Sequence, residues 1–187
     1  MSHRISTRTL AGSAMFAAIA VVLARVLSVP GIGERYSLET LPILLAGLFF
    51  GPVAGALVGF GSDLIGCLLL NPQGYNPIFC LPPLLLGLWA GLFRRQAEKG
   101  LRWATLLLAV LPPIAVGYVL WQSFPLAYLY GKEGDTLRIS YLAFLTKRAI
   151  QFAIVAAIDM ILTKFICYLL EQRGILPLRR EEARKGS

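Results

Sequence analysis

Histidine occurs once in the 187 residues, at His3, and cysteine three times, at Cys67, Cys80 and Cys167, far apart in the chain. That leaves no metal-ligand spacing and no histidine placed for acid–base work. The cysteines read as small apolar residues. Acidic residues number only ten, and none form a cluster fit for magnesium. There is no GxxxxGK[ST] phosphate loop, no HExxH and no GxSxG. Catalysis therefore has little material here, and no cofactor is called for. Uphill transport, if the chain performs it, would draw its energy from a partner or an ion gradient. Charged residues make up 15% and hydrophobic ones 57% of the chain, with a mean hydropathy of +0.68. An ordinary soluble domain is about 25% charged. The balance excludes a disordered chain, a disulfide scaffold and most soluble enzymes.

What is present is apolar sequence in long blocks. One lipid-spanning helix takes about 20 residues, so there is room for about six and none for a soluble domain besides. The reading is a single all-α membrane domain over residues 1–187. Six helices are expected near residues 10–27, 41–50, 53–70, 84–93, 103–130 and 137–172. The first run lacks a clear small-residue cleavage site and is taken as a retained helix. Gly51-Pro52 divides the second helix from the third. The segment 71–83, with four prolines and a glycine, is expected as a structured loop. Pro112, Pro113 and Pro125 are expected to bend the fifth helix.

The net charge is +8, and its placement matters more than its size. Residues 1–9 carry +2 (Arg4, Arg8), residues 94–102 carry +3, and residues 171–187 carry +2. The alternate connectors 28–40 and 131–138 carry −1 and zero. Positive connectors mark the cytoplasmic side, so both termini are expected inside a cell membrane that the chain crosses several times. Aromatic residues do not interleave with the basic ones, which argues against a nucleic-acid partner. Gly47, Gly51, Gly55 and Gly59 recur every four residues. Small residues at that spacing let helices approach closely in lipid, and packing inside the domain is the expected use.

Charge within apolar segments is costly and usually faces the bundle interior or a cavity. Arg25 lies near the outer end of the first helix, and Arg35 in the first outer loop. Lys147 and Arg148 lie two to three turns into the last helix, roughly 12–17 Å from its outer end. Glu34 and Glu39 are the acids near them. An anionic ligand from outside would explain this excess of cations; snorkelling to headgroups is the alternative. Lys147 and Arg148 point about 100° apart, and Arg148 is expected to be the inward one. Asp63, near the middle of the third helix, can accept hydrogen bonds from a nitrogen-rich ring, pair with a basic side chain, or cap a broken helix. Asp159 and Lys164 are expected to form a local ion pair. Tyr75 and Phe79 in the proline-stiffened loop, and Trp121 beside Gln122, are candidates to hold a flat ligand by stacking with a few placed polar groups. Ala14 and Ala18, one turn apart, form a flat face suited either to internal packing or to a partner helix.

The stretches LPILLAGLFFGPVAGALVGFGSDLIGCLL (41–69), NPQGYNPIFCL (71–81), LWQSFPLAYLYG (120–131) and AMFAAIAVVLARVL (14–27), with Arg35 and Lys147-Arg148, resemble the substrate-binding (S) components of energy-coupling factor (ECF) vitamin transporters. The folate-specific branch is the most similar. Cys80, Ser62 and Gln73 depart from its usual pattern. The resemblance implies a six-helix subunit that takes folate from outside and associates with a transmembrane coupling protein and two cytoplasmic ATPases. It implies no enzyme activity. Folate would use Arg35 and Arg148 for its glutamate carboxylates, Trp121 and Phe79, with Tyr75, for its rings, and Asp63 or Gln122 for the pterin edge. Ala14 and Ala18 would meet the coupling protein. An S component for another ligand, such as a pyridoxine-like compound or a queuosine precursor, is the nearest alternative; a neutral ligand would leave the outer cations unexplained. A small membrane enzyme or a structural subunit are further alternatives.

Overall fold

The structure, a computed structural model, describes residues 7–30, 35–70, 77–130 and 137–173. The described residues are helical apart from short connecting turns and one two-residue antiparallel pairing, Val29–Pro30 (β1) with Arg35–Tyr36 (β2). The helices are α1 (Thr7–Arg25), α2 (Thr40–Phe50), α3 (Pro52–Leu70), α4 (Leu81–Leu92), α5 (Arg94–Glu98), α6 (Trp103–Pro113), α7 (Gln122–Tyr130) and α8 (Leu137–Gln172). A 3₁₀ turn, Pro77–Cys80, leads into α4, and a π-helical segment, Ile114–Trp121, joins α6 to α7.

α2 sits at the centre. Every residue from Pro42 to Leu48 is buried, as expected of a helix apolar on all sides. Around it pack α1, α3 and α4, while the π segment, α7 and α8 form the other flank. The glycine repeat explains how α2, α3 and α4 come so close. A Cβ on Gly55 would lie 2.3 Å from the carbonyl oxygen of Gly87, and one on Gly87 2.0 Å from that of Gly55. Gly59 meets Pro83 and Gly47 meets Gly87 in the same way. The repeat is consumed by packing within the chain. Gly51, at φ +97°, makes the reversal between α2 and α3, and Arg94 Nη1 donates to the Phe50 carbonyl that ends α2 (3.3 Å).

Proline shapes the rest. Pro82 and Pro83 fall at the first positions of α4, where no N–H is needed, so helix begins at Pro77 and Leu81 rather than near residue 84. Pro112 and Pro113 lie inside α6 and remove two helical donors; the run after them is π-helical, a register change that relieves such sites. Gly100, at φ +111°, follows α5, a short helix that the sequence pattern did not suggest.

Large apolar side chains cover the outside: Leu10, Met15, Val26, Leu68, Leu108 and Ile161 are among those mostly exposed. Trp103–Tyr128 and Ser140–Gln172 are long and apolar enough to cross a membrane. α2 is not: eleven residues rise about 16 Å against a core of about 30 Å. Its first residue, Thr40, donates a hydrogen bond to Asp159 of α8, thirteen positions before the end of that helix. The N-terminus of α2 therefore opens inside the bundle. This corrects the expected Asp159–Lys164 pair. Five positions turn a helix by 500°, and the two side chains go to different elements. Lys164 donates instead to the Leu101 carbonyl and stands 5.5 Å from the centre of the Trp103 ring.

Candidate functional site

Charged and polar side chains gather at one end of the bundle, where α1 and α3 finish and α8 begins. Arg25 ends α1 and reaches across to α3. Its Nη2 donates to Cys67 Sγ (3.1 Å) and stands 4.0 Å from Asp63 Oδ1. Cys67, one turn beyond Asp63, donates its thiol to the same Oδ1 (3.7 Å). Of the three uses open to Asp63, pairing with a basic side chain is present. Its Oδ2, however, is buried and has no partner among the described residues.

On the other flank, Arg148 of α8 donates from Nη1 to Gln122 Oε1 (2.9 Å) and lies 5.7 Å from the centre of the Phe152 ring. Arg148 is half-buried and its neighbour Lys147 exposed, as their 100° separation requires. The hydroxyl of Tyr118, whose ring lies 4.7 Å from that of Phe152 and tilted to it by 42°, is buried without a partner among the described residues. Polar groups held without partners inside a protein are uncommon.

Trp121 and Phe79 are placed differently. Trp121 donates its indole N–H to the Ile78 carbonyl (3.1 Å), which ties the π segment to the 3₁₀ turn. Its ring is 46% exposed and lines an open apolar groove of about 700 Å³ with Ile78, Leu120, Phe124 and Tyr128. That groove holds almost no polar atoms and faces the apolar exterior. The polar cluster, not the groove, has the groups that fix a charged ligand. Phe79 is half-buried in the 3₁₀ turn. Arg35 is in β2, and Tyr75 lies outside the described residues. Ala14 and Ala18 are both exposed on α1, while Ser13 and Ala20 turn inward. The Ala14–Ala18 face is thus left open, not used for internal packing.

At a helix end, Arg25 reads from sequence as a headgroup contact or as a cation for an anionic ligand; the structure instead turns it toward Asp63 and Cys67. The signal lay on the other helix. Asp63 and Cys67 are four apart, hence on one face, with Gly66 leaving room for a long side chain between them.

A family model of the ECF transporter substrate-specific component matches residues 8–170, and the chain belongs to that family. It is a membrane-embedded subunit of a transporter, not an enzyme. The folate transporter FolT of Clostridium novyi (strain NT) is 26% identical over 141 residues, covering 74% of this chain and 77% of that one. A crystal structure of FolT bound with folic acid superposes with a TM-score of 0.72 at 25% identity, over 87% of this chain and 94% of that one. The S-component for biotin from an ECF-type ABC transporter shares the fold, with a TM-score of 0.54 at 20% identity over 88% and 95%.

Proposed function

We propose that the chain binds folate from the outer side of the cell membrane and releases it inside, working with a transmembrane coupling protein and two cytoplasmic ATPases. The observation that carries this reading is the likeness, along 87% of the chain, to FolT bound with folic acid. The polar cluster suits such a ligand. Folate joins a flat pterin and an aminobenzoate to a dianionic glutamate. Buried carboxylates cost several kcal/mol unless paired, so the glutamate belongs near Arg148 and Arg35 and the rings lie deeper. Asp63 reads the pterin edge, and Phe79 and Tyr75 supply ring contacts; Gln122, bonded to Arg148, stays at the glutamate end, and Trp121 braces the turn that carries Phe79.

In this arrangement residues 1–187 form one membrane domain of six helical segments. These are α1, α2, α3, α4, the continuous run α6–π–α7, and α8; α2 runs only part of the way through the bilayer, and the basic clusters hold both termini in the cytoplasm. The open face of Ala14 and Ala18 docks the coupling protein. The test is mass spectrometry of the small molecule that accompanies the purified protein. Folate is the expected mass; a different vitamin, or no ligand together with no binding of added folate, overturns the reading.

A further inference from the structure

Among the described residues, the two contacts of the Asp63 carboxylate fall on the same oxygen. Arg25 Nη2 stands 4.0 Å from Oδ1, and the Cys67 thiol donates to Oδ1 over 3.7 Å. The guanidinium also donates to Cys67 Sγ, so the three side chains form a closed triangle on one edge of the carboxylate. The other edge, Oδ2, is buried and has no partner among the described residues. A carboxylate free to rotate in a polar pocket would share its contacts between both oxygens. Here the thiol and the guanidinium both lie on the Oδ1 side, which leaves Oδ2 for another donor.

Arg25 is held in turn. It crosses α3 over Gly66, where a Cβ would stand 3.0 Å from Nε and 3.6 Å from Cγ and Nη2. That spacing is tighter than ordinary packing at Nε, so an alanine there pushes the guanidinium away from α3. The notch, the thiol and the ion pair converge on one orientation of Asp63. Leaving a desolvated carboxylate oxygen unbonded costs free energy that the fold alone does not recover. A partner that arrives with the ligand recovers it.

We infer that Arg25 is a positioning residue for ligand recognition: it pins Oδ1 of Asp63, and the Gly66 notch seats it, so that Oδ2 is presented to an N–H donor on the ligand. The donor chemistry is that of an amino-substituted nitrogen heterocycle. This inference rests on the reading that Asp63 touches the ligand. It adds that Arg25 acts through Asp63 and makes no separate contribution to affinity.

The test is a double-mutant cycle by folic acid titration of the purified full chain, with Asp63→Asn, Arg25→Gln and the double variant. Asp63→Asn is expected to weaken binding about 30-fold or more. Arg25→Gln should weaken it about tenfold, and the double variant no more than Asp63→Asn alone, because coupled residues are non-additive. Gly66→Ala keeps every charge and guards against misfolding of the charge variants. It should weaken binding severalfold in the parent and not at all on the Arg25→Gln background. Additive losses in the double variant, or Arg25→Gln binding like the parent while Asp63→Asn fails, overturn the positioning role alone. If Asp63→Asn binds folic acid like the parent, the contact between Asp63 and the ligand is itself wrong.

Discussion

The indole N–H of Trp89 donates to the carbonyl oxygen of Leu108 over 2.9 Å. That carbonyl lies four residues before Pro112, the position from which a helical N–H would otherwise reach it. Proline deletes the donor, and a side chain from α4 replaces it. In lipid no water can do so, and an unsatisfied carbonyl costs several kcal/mol. The bond thus secures α6 to α4 just before the helix changes to π geometry.

Trp89→Phe should therefore lower the midpoint of thermal unfolding in detergent, by a loss of about 1–3 kcal/mol, and leave folate affinity unchanged. Adding Pro112→Ala restores a backbone donor for Leu108. The double variant is expected to recover part of the loss, a non-additivity that simple loss of packing at Trp89 would not produce.

The α3–α4 crossing gives a sharper contrast between two neighbouring glycines. Gly55→Ala puts a Cβ against the Gly87 backbone, with no flexible side chain to yield. Overpacking of this kind costs about 1–3 kcal/mol. At Gly61 a Cβ meets nothing within 4 Å, and replacing a helical glycine by alanine gains up to about 1 kcal/mol. Thermal unfolding of the two variants should move in opposite directions. A Gly55→Ala protein as stable as Gly61→Ala would mean that the helices are not in backbone contact there.

The helices were legible from apolar run length and proline placement, and their order and approximate limits agree with the structure. The glycine repeat announced close approach, and Gly55 against Gly87 is its result. What periodicity could not give was depth. Nothing in TLPILLAGLFF says that α2 begins inside the bundle; that follows from Thr40 reaching Asp159. For the same reason Asp159 was assigned to Lys164, its neighbour in sequence, when its partner is 119 positions away. The π segment was legible only as a bend, because proline predicts a lost donor but not the register that replaces it. Asp63 was recognised as a costly charge, yet its use depended on Arg25 crossing from another helix.

The exposed face of α1 allows a test that separates binding from transport. Ala14 and Ala18 point away from the bundle, so a large side chain there should leave the polar cluster untouched. A flat small-residue face lets a partner helix come close in lipid, and tryptophan would hold it off. Ala14→Trp and Ala18→Trp are expected to bind folate like the parent and to lose folate uptake in cells, with reduced co-purification of the coupling protein. A stably expressed double variant with normal uptake would show that this face is not the docking surface.

The carboxylate assignment is tested most directly on α8. Arg148 and Lys147 carry the same charge on adjacent residues, but only Arg148 turns inward, where it donates to Gln122. A guanidinium carries five N–H donors and can grip a carboxylate at two points. Removing a buried charge partner costs about 2–5 kcal/mol, which is roughly 30- to 5,000-fold in affinity. Folate titration should show a loss in that range for Arg148→Ala and for Arg35→Ala, and little change for Lys147→Ala. Gln122→Glu is the complementary probe. It places a carboxylate where the neutral amide now accepts from Arg148, so an internal ion pair competes with the ligand, and affinity should fall although no cation has been removed. Gln122→Leu instead frees the guanidinium donor and should not impose that competition. If both arginine variants bind folate like the parent, the cations at this end of the bundle hold the structure rather than the ligand.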